Sequence, residues 1–256
     1  WYNDALALGQ KPKKAHIKWD HPQDFFQTLQ FSDAPNSEVY FAGGEPGIEP
    51  EHGEILNILY SKTKGDIQLR YTTNGSKFYP SLPAFCNALG RFTRVVLEIS
   101  LDLVGTGAEW LRPGEKWTKI EANLEAMKEY PKIERIWHPT VSILNVRWLG
   151  FMHRYFVKKE WFSLDQLWLN ILERPDYFKI GPLQTKHQNI ILQNLDFHVA
   201  WLQKNGAGAK TRLQFTQLRK LVANCTNEKN TDLCLQLSTL DQIRSEKSAD
   251  FLPLEI

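Results

Sequence analysis

Cysteine is scarce in this chain: Cys86, Cys225 and Cys234 are the only three in 256 residues. So sparse and odd a set does not staple a secreted scaffold, and the chain reads as a cytoplasmic protein of a reducing compartment. Long apolar runs are missing too. No stretch approaches the roughly 18 apolar residues of a membrane span, and the charged start, apolar middle and cleavage site of a signal peptide are not seen. Neither sign of charge dominates. A net charge of +2 with 23% charged residues argues against polyanion binding as the main function, which sets nucleic acid aside as a partner. The basic KPKK at 11–14 is then a solvated loop. His21, His52, His138 and His187 have no metal-ligand spacing among them. Low-complexity tracts and internal repeats are also lacking.

What is present is an ordinary globular composition, 42% hydrophobic, long enough for one large domain or two small ones. From residue 20 to about 180, β-type runs alternate with helical patterns. DHPQDFFQTLQ has a capping Asp20, Pro22 in its first turn, and Phe25, Phe26 and Leu29 on one face, which predicts a helix. EVYFAGG, IQLRYTTNG, TRVVLEISLD, IERIWHPTVSILN and YFKIGPL read as strands. PEHGEILNILYSKT and KWTKIEANLEAMKEY read as helices, through Ile55, Ile58 and Leu59 and through Trp117, Ile120, Leu124 and Met127. Strands separated by helices of this length predict βαβ units and a parallel sheet. After residue 184 only helical patterns remain, with NGAGAK at 205–210 as a joint. The expected organisation is an α/β part over 1–183 and a helical region over 184–256. The nine tryptophans, mostly in helical patterns, read as core.

In parallel α/β folds, ligands gather beyond the carboxyl ends of the strands. Each strand expected here ends in polar residues or glycine. The first ends in Gly43, Gly44, Glu45 and Pro46, the next in Thr72, Thr73, Asn74 and Gly75. Ser100 and Asp102 follow the third, and Thr140, Ser142 and Asn145 the fourth. Glycine lets a ligand approach the backbone, and Glu45 suits a cationic group such as an ammonium. Taken singly, each of these is a turn or a cap; taken in order, they make a candidate site.

FAGGEP, YTTNG, LEISLD and HPTVSILNVRWLG, in that order, resemble the strand ends of radical S-adenosylmethionine proteins. The likeness is to the twitch-domain group, which carries similar PTVSILN and late LD-IR stretches (here LDQIRSEKSADFLPLEI), and it runs from about residue 36 to 256. The resemblance implies a partial (β/α)6 barrel of parallel strands, its first strand missing, followed by the C-terminal helical region. It implies S-adenosylmethionine as cofactor, with Gly43, Gly44, Glu45 and Pro46 at the methionine ammonium and Ser100 toward the ribose and carboxylate. Thr73, Asn74 and Asp102 would line the pocket, and Val141 and Ile180 would flank the adenine.

The resemblance also implies a [4Fe–4S] cluster on a CxxxCxxC loop, an electron donor such as flavodoxin or ferredoxin, and reductive cleavage to a 5′-deoxyadenosyl radical that takes hydrogen from an unknown substrate. No such cysteine triplet occurs in this chain. The opening on Trp1, without an initiator methionine or a helix cap, leads us to expect a piece of a longer protein whose cysteine loop lies upstream. The alternative is a cluster-less module that binds S-adenosylmethionine without catalysis. A hydrolase using Glu45, His52 and Asp102 is a third reading. Cys225 and Cys234, separated by eight residues, are either ligands of an auxiliary cluster or an inert pair.

Overall fold

The computed structural model describes residues 29, 37–43, 45–228 and 230–251. The helix expected over Asp20–Gln30 lies outside these except for Leu29, as do KPKK, His21, Gly44 and the end of the late LD-IR stretch. The described residues fall into two compact units, one within 29–100 and 116–137, the other within 101–115 and 138–251.

The first unit is built on a parallel four-stranded sheet in the order β1-β2-β3-β4, with β1 at Glu38–Phe41, β2 at Gln68–Thr73, β3 at Arg94–Ile99 and β4 at Ile133–Trp137. Between strands run α1 (His52–Thr63), α2 (Leu82–Leu89) and, before β4, α4 (Trp117–Ala126); the intervening α3 (Gly105–Leu111) belongs to the other unit. The pairing register puts Phe41 beside Tyr71 and Tyr71 beside Leu97, so Val39, Phe41, Leu69, Tyr71, Val95, Leu97 and Ile99 share one face. Helices cover that face. Tyr71 stacks on Phe41 and meets His52 of α1 and Phe85 of α2 edge-on. α1 buries His52, Ile55, Leu56 and Leu59, the 3–4 spacing of an amphipathic helix. Ser81 caps α2 by accepting the Ala84 N–H, and Pro83 sits in its first turn. Trp117, Ile120, Leu124 and Met127 are all buried, as their spacing predicts.

The second unit holds α3, a two-stranded parallel sheet of β5 (Thr140–Val141) and β6 (Asn170–Ile171), and the helices α5 (Leu149–Lys158), α6 (Thr185–Lys204), α7 (Ala209–Ala223), α8 (Thr231–Arg244) and α9 (Ser248–Phe251). Two strand expectations need correcting. IERIWHPTVSILN is not one strand: β4 stops at Trp137, ahead of His138 and Pro139, and β5 pairs in a separate sheet. Pro139 has no N–H for a ladder, and the Thr140 N–H is taken by the Asp102 carboxylate. YFKIGPL is not a strand either. Asp176–Phe178 form a 3-10 turn behind Pro175, where proline and an acid suit a helical start, and the strand lies earlier, at Asn170–Ile171. The three long helical patterns after 184 appear as α6, α7 and α8.

α5, α6 and α7 meet around two buried histidines. His153 Nδ1 is 3.0 Å from His198 Nε2, and Arg154 Nη1 is 3.1 Å from His198 Nδ1. A guanidinium only donates, so His198 accepts at Nδ1, carries its proton at Nε2 and donates to His153. His153 then carries its own proton at Nε2. Phe215 stacks on His153, and Trp201 on His198. Burial lowers the pKa of His153 to about 4 and that of His198 further, the latter helped by His153 and Arg154. Burial likewise lowers that of His52, in the first unit, to about 4.

These shifts have a fixed sign. Below about pH 6.5 the unfolded chain takes up protons that the folded chain refuses, so stability is full above that pH and falls as pH drops toward 4. The loss is roughly 1.4 kcal/mol per pH unit for each histidine. Urea unfolding at pH 7 and pH 5.5 is expected to show the decline, shallower by one histidine's share in His52→Gln. Packing gives a second prediction. A Cβ on Gly150 of α5 would lie 2.8 Å from the Cβ of His198 on α6, whereas one on Gly53 of α1 meets nothing within 4 Å. Gly150→Ala is expected to destabilise by about 1–3 kcal/mol, and Gly53→Ala to stabilise by up to about 1 kcal/mol, in thermal or urea melts.

Candidate functional site

The carboxyl edge of the four-stranded sheet gathers several of the expected residues. The chain leaves β1 through Gly43, whose φ of 84° lies in the left-handed region that suits glycine. Glu45 follows, half-buried, just ahead of a 3-10 turn at Pro46–Ile48. Its carboxylate reaches across to the end of β2. One oxygen accepts the Thr73 hydroxyl at 2.6 Å and the other the Asn74 N–H at 2.9 Å. Thr73 in turn accepts the Gly75 N–H at 3.0 Å, and the Asn74 side chain accepts the Ser76 N–H at 2.9 Å. From α4, Asn123 donates to the carbonyls of Gly75 and Ser76 at 2.8 and 3.1 Å. Ser100, at the end of β3, donates its backbone N–H to Thr73, and its hydroxyl has no hydrogen-bond partner among the described residues.

Glu45, Thr73 and Asn74 are therefore brought together by direct hydrogen bonds, with Ser100 tied to the same Thr73. A carboxylate fixed in one place by a hydroxyl and an amide is a fitting acceptor for a ligand's ammonium.

Asp102, Val141 and Ile180 lie in the other unit. Asp102 serves the fold there. One carboxylate oxygen accepts both Arg112 Nε and Nη2, at 3.0 and 2.7 Å, and the other accepts the Thr140 N–H at 2.7 Å. Asn145, wholly buried, donates to the carbonyls of Asp102 and Thr140 and accepts the Ser142 N–H. PTVSILN is thus a knot tying β5 to the segment that follows β3. Val141 is fully buried and Ile180 nearly so. His52 is committed to packing: its Nε2 is 2.9 Å from the Tyr71 hydroxyl, among Phe41 and Phe85.

The second face of the four-stranded sheet carries a polar group that sequence reasoning missed. Register places Glu38 and Tyr40 of β1, Arg70 and Thr72 of β2 and Glu98 of β3 on it. Arg70 donates to Glu98 at 2.8 Å and to Glu38 at 3.1 Å. The Tyr40 hydroxyl is 2.6 Å from Thr72 Oγ1, which donates to Glu98 at 3.2 Å, so protons run from Tyr40 through Thr72 to the carboxylate. The bond from Glu98, with Glu38 adding to it, raises the Arg70 pKa above its ordinary value. A signal was present: Glu98 is the one charged residue within the otherwise apolar VVLEI, and a buried carboxylate there needs a partner.

The thiols do not fit a [4Fe–4S] cluster. Among the described residues no three His, Cys, Asp or Glu side chains converge in a way that could hold a metal. Cys86 is buried in α2, where desolvation raises its pKa to about 11, the reverse of what a thiolate ligand needs. Cys225 and Cys234 belong to the other unit, are free, and burial raises the pKa of Cys225 too. No helix among the described residues is long and apolar enough to cross a membrane. Set against models of known protein families and against curated proteins, the chain matches none.

Anaerobic incubation of this chain with iron and sulfide is accordingly expected to leave no stoichiometric cluster by absorbance and iron analysis. A stable cluster would show that the three cysteines converge and would overturn the assignment of Cys86 as a packing residue.

Proposed function

We propose that this chain binds S-adenosylmethionine at the carboxyl edge of the four-stranded sheet, with the Glu45 carboxylate receiving the methionine ammonium. The observation that carries the reading is the carboxylate fixed by Thr73 and Asn74 at the ends of two adjacent parallel strands. Gly43 leaves the backbone open beside it, and the Ser100 hydroxyl is available to the carboxylate and ribose end of the ligand. The consecutive order β1-β2-β3-β4 supports the sheet as part of a (β/α)6 barrel. In such a barrel the face bearing Tyr40, Arg70, Thr72 and Glu98 turns inward, toward the bound molecule. A cytoplasmic setting agrees with the scarce, free thiols.

The proposal is confined to binding. The thiols of this chain do not fit the iron–sulfur cluster, so no radical step is derived from them. The reductive cleavage that the family resemblance implies, and the flavodoxin- or ferredoxin-type donor with it, would require that group.

Calorimetric titration with S-adenosylmethionine tests the reading. Glu45→Gln is expected to weaken binding by about 1.5–3 kcal/mol, roughly 10- to 150-fold, the range of a hydrogen bond to a charged group. Binding of 5′-methylthioadenosine, which has no ammonium, is expected to change little. A melting curve separates this loss from damage to the edge, since Gln keeps one oxygen for Thr73 or Asn74. No binding by the unsubstituted chain, or equal binding by Glu45→Gln, rejects the proposal.

A further inference from the structure

A concavity lies in the first unit, beside the loop that leaves β2 and outside the set of residues assigned to S-adenosylmethionine. It encloses about 450 Å³ and is lined by Ile48, Ser76, Lys77, Phe78, Tyr79, Leu82, Lys119 and Asn123. Its size falls in the ordinary range for small-molecule pockets, about 300–1,000 Å³. The lining divides by chemistry. Ile48, Phe78 and Leu82 offer an apolar wall, and Leu82 is buried. Lys77 and Lys119 bring two ammonium groups from different elements, the β2–α2 loop and the first turn of α4, and neither makes an ion pair among the described residues. Tyr79 is half exposed.

Two like charges that share a pocket without a carboxylate between them repel each other, and a bound anion removes that cost. The walls are preformed. Asn123 holds Gly75 and Ser76, the Asn74 side chain closes the turn at Ser76, and the Tyr79 N–H donates to the Gly47 carbonyl at 2.6 Å. Gly47 itself is hemmed in, since a Cβ there would lie 3.2 Å from the Phe78 ring. Little ordering is left for a ligand to impose, which favours small-molecule affinity.

We infer that this pocket binds a small organic phosphate monoester with an apolar body, the dianion between Lys77 and Lys119 and the body against Ile48, Phe78 and Leu82. The charge count selects the class: two ammonium groups match a dianion, whereas a carboxylate would satisfy one. The inference stands apart from the Glu45 reading, as none of the residues that line this pocket is assigned to S-adenosylmethionine.

Titration of the whole chain with 1-naphthyl phosphate, followed by naphthyl fluorescence, is the test. Saturable binding is expected, at least tenfold tighter than for 1-naphthoate and for neutral 1-naphthol, and at least tenfold weaker for inorganic phosphate, which has no apolar body. Raising salt from 50 to 500 mM is expected to weaken it severalfold. The double variant Lys77→Gln and Lys119→Gln, whose side chains are solvent-exposed and whose fold melting curves confirm, is expected to lose at least tenfold in affinity and most of the salt dependence. Equal binding of 1-naphthol and 1-naphthyl phosphate, or an unchanged affinity in the double lysine variant, overturns the inference.

Discussion

The bridge from Glu45 to Thr73 and Asn74 organises one whole edge of this protein. Parallel strands end without the tight hairpin that closes an antiparallel pair, so their carboxyl ends diverge unless something joins them. Here the joint is a carboxylate. Glu45 takes a hydroxyl and an amide from the neighbouring strand end. Thr73, fixed by that bond, takes the Gly75 N–H, and the turn it shapes presents its carbonyls to Asn123. Hydrogen bonds to a charged acceptor contribute about 1.5–3 kcal/mol, enough to hold a short glycine-bearing segment in one conformation. The same bonds leave a negative charge at a defined place, so what secures the edge also equips it to meet a cation.

The two faces of the sheet set a second constraint. A parallel strand with helices on one side and open polar space on the other reads as alternation, and β2 does: Leu69, Tyr71 and Thr73 are buried while Gln68, Arg70 and Thr72 are half-buried. β3 reads as continuous burial, because Val96 and Glu98 are buried on the second face as well. A carboxylate buried among apolar neighbours is tolerated because Arg70 and Thr72 donate to it. The polar face is therefore a unit.

Periodicity made most elements legible. The apolar spacing of α1 and α4, the Asn-Gly turn after β2 and the apolar run of β3 all appear where local chemistry puts them. The failures have physical causes. α5 was not anticipated, although Leu149, Met152, His153 and Phe156 are buried at helical spacing, because LGFMHRYFVK interleaves that stripe with aromatic and basic residues and places a histidine in it. His153 looks solvated in the sequence and is buried, because His198 and Phe215, 45 and 62 residues away, complete its surroundings. The fourth strand read too long because Trp137 and Val141 are both buried, though in different sheets. At the site, Gly-Gly-Glu and Thr-Thr-Asn-Gly identified themselves as strand ends. That Glu45 spans from one to the other is long-range information, set by register. The pairing of Arg70 with Glu98 is hidden for the same reason.

The loop after β2 has one more consequence. It is pinned at Asn74 and Thr73 by Glu45, at Gly75 and Ser76 by Asn123, and at Tyr79 by Gly47. Lys77 and Phe78 lie between pinned positions, so their backbone has little freedom left to lose. Ordering one residue costs about 1–2 kcal/mol, and a loop already ordered by the fold spares a ligand most of that. The Glu45 carboxylate is bonded to one end of this loop and Lys77 lies farther along it, so opposite charges flank one pinned segment, with Lys119 added from α4. A ligand drawn to either is selected by charge sign before any shape is tested, and a substitution that frees the loop, such as loss of the Asn123 amide, would weaken both recognition chemistries together.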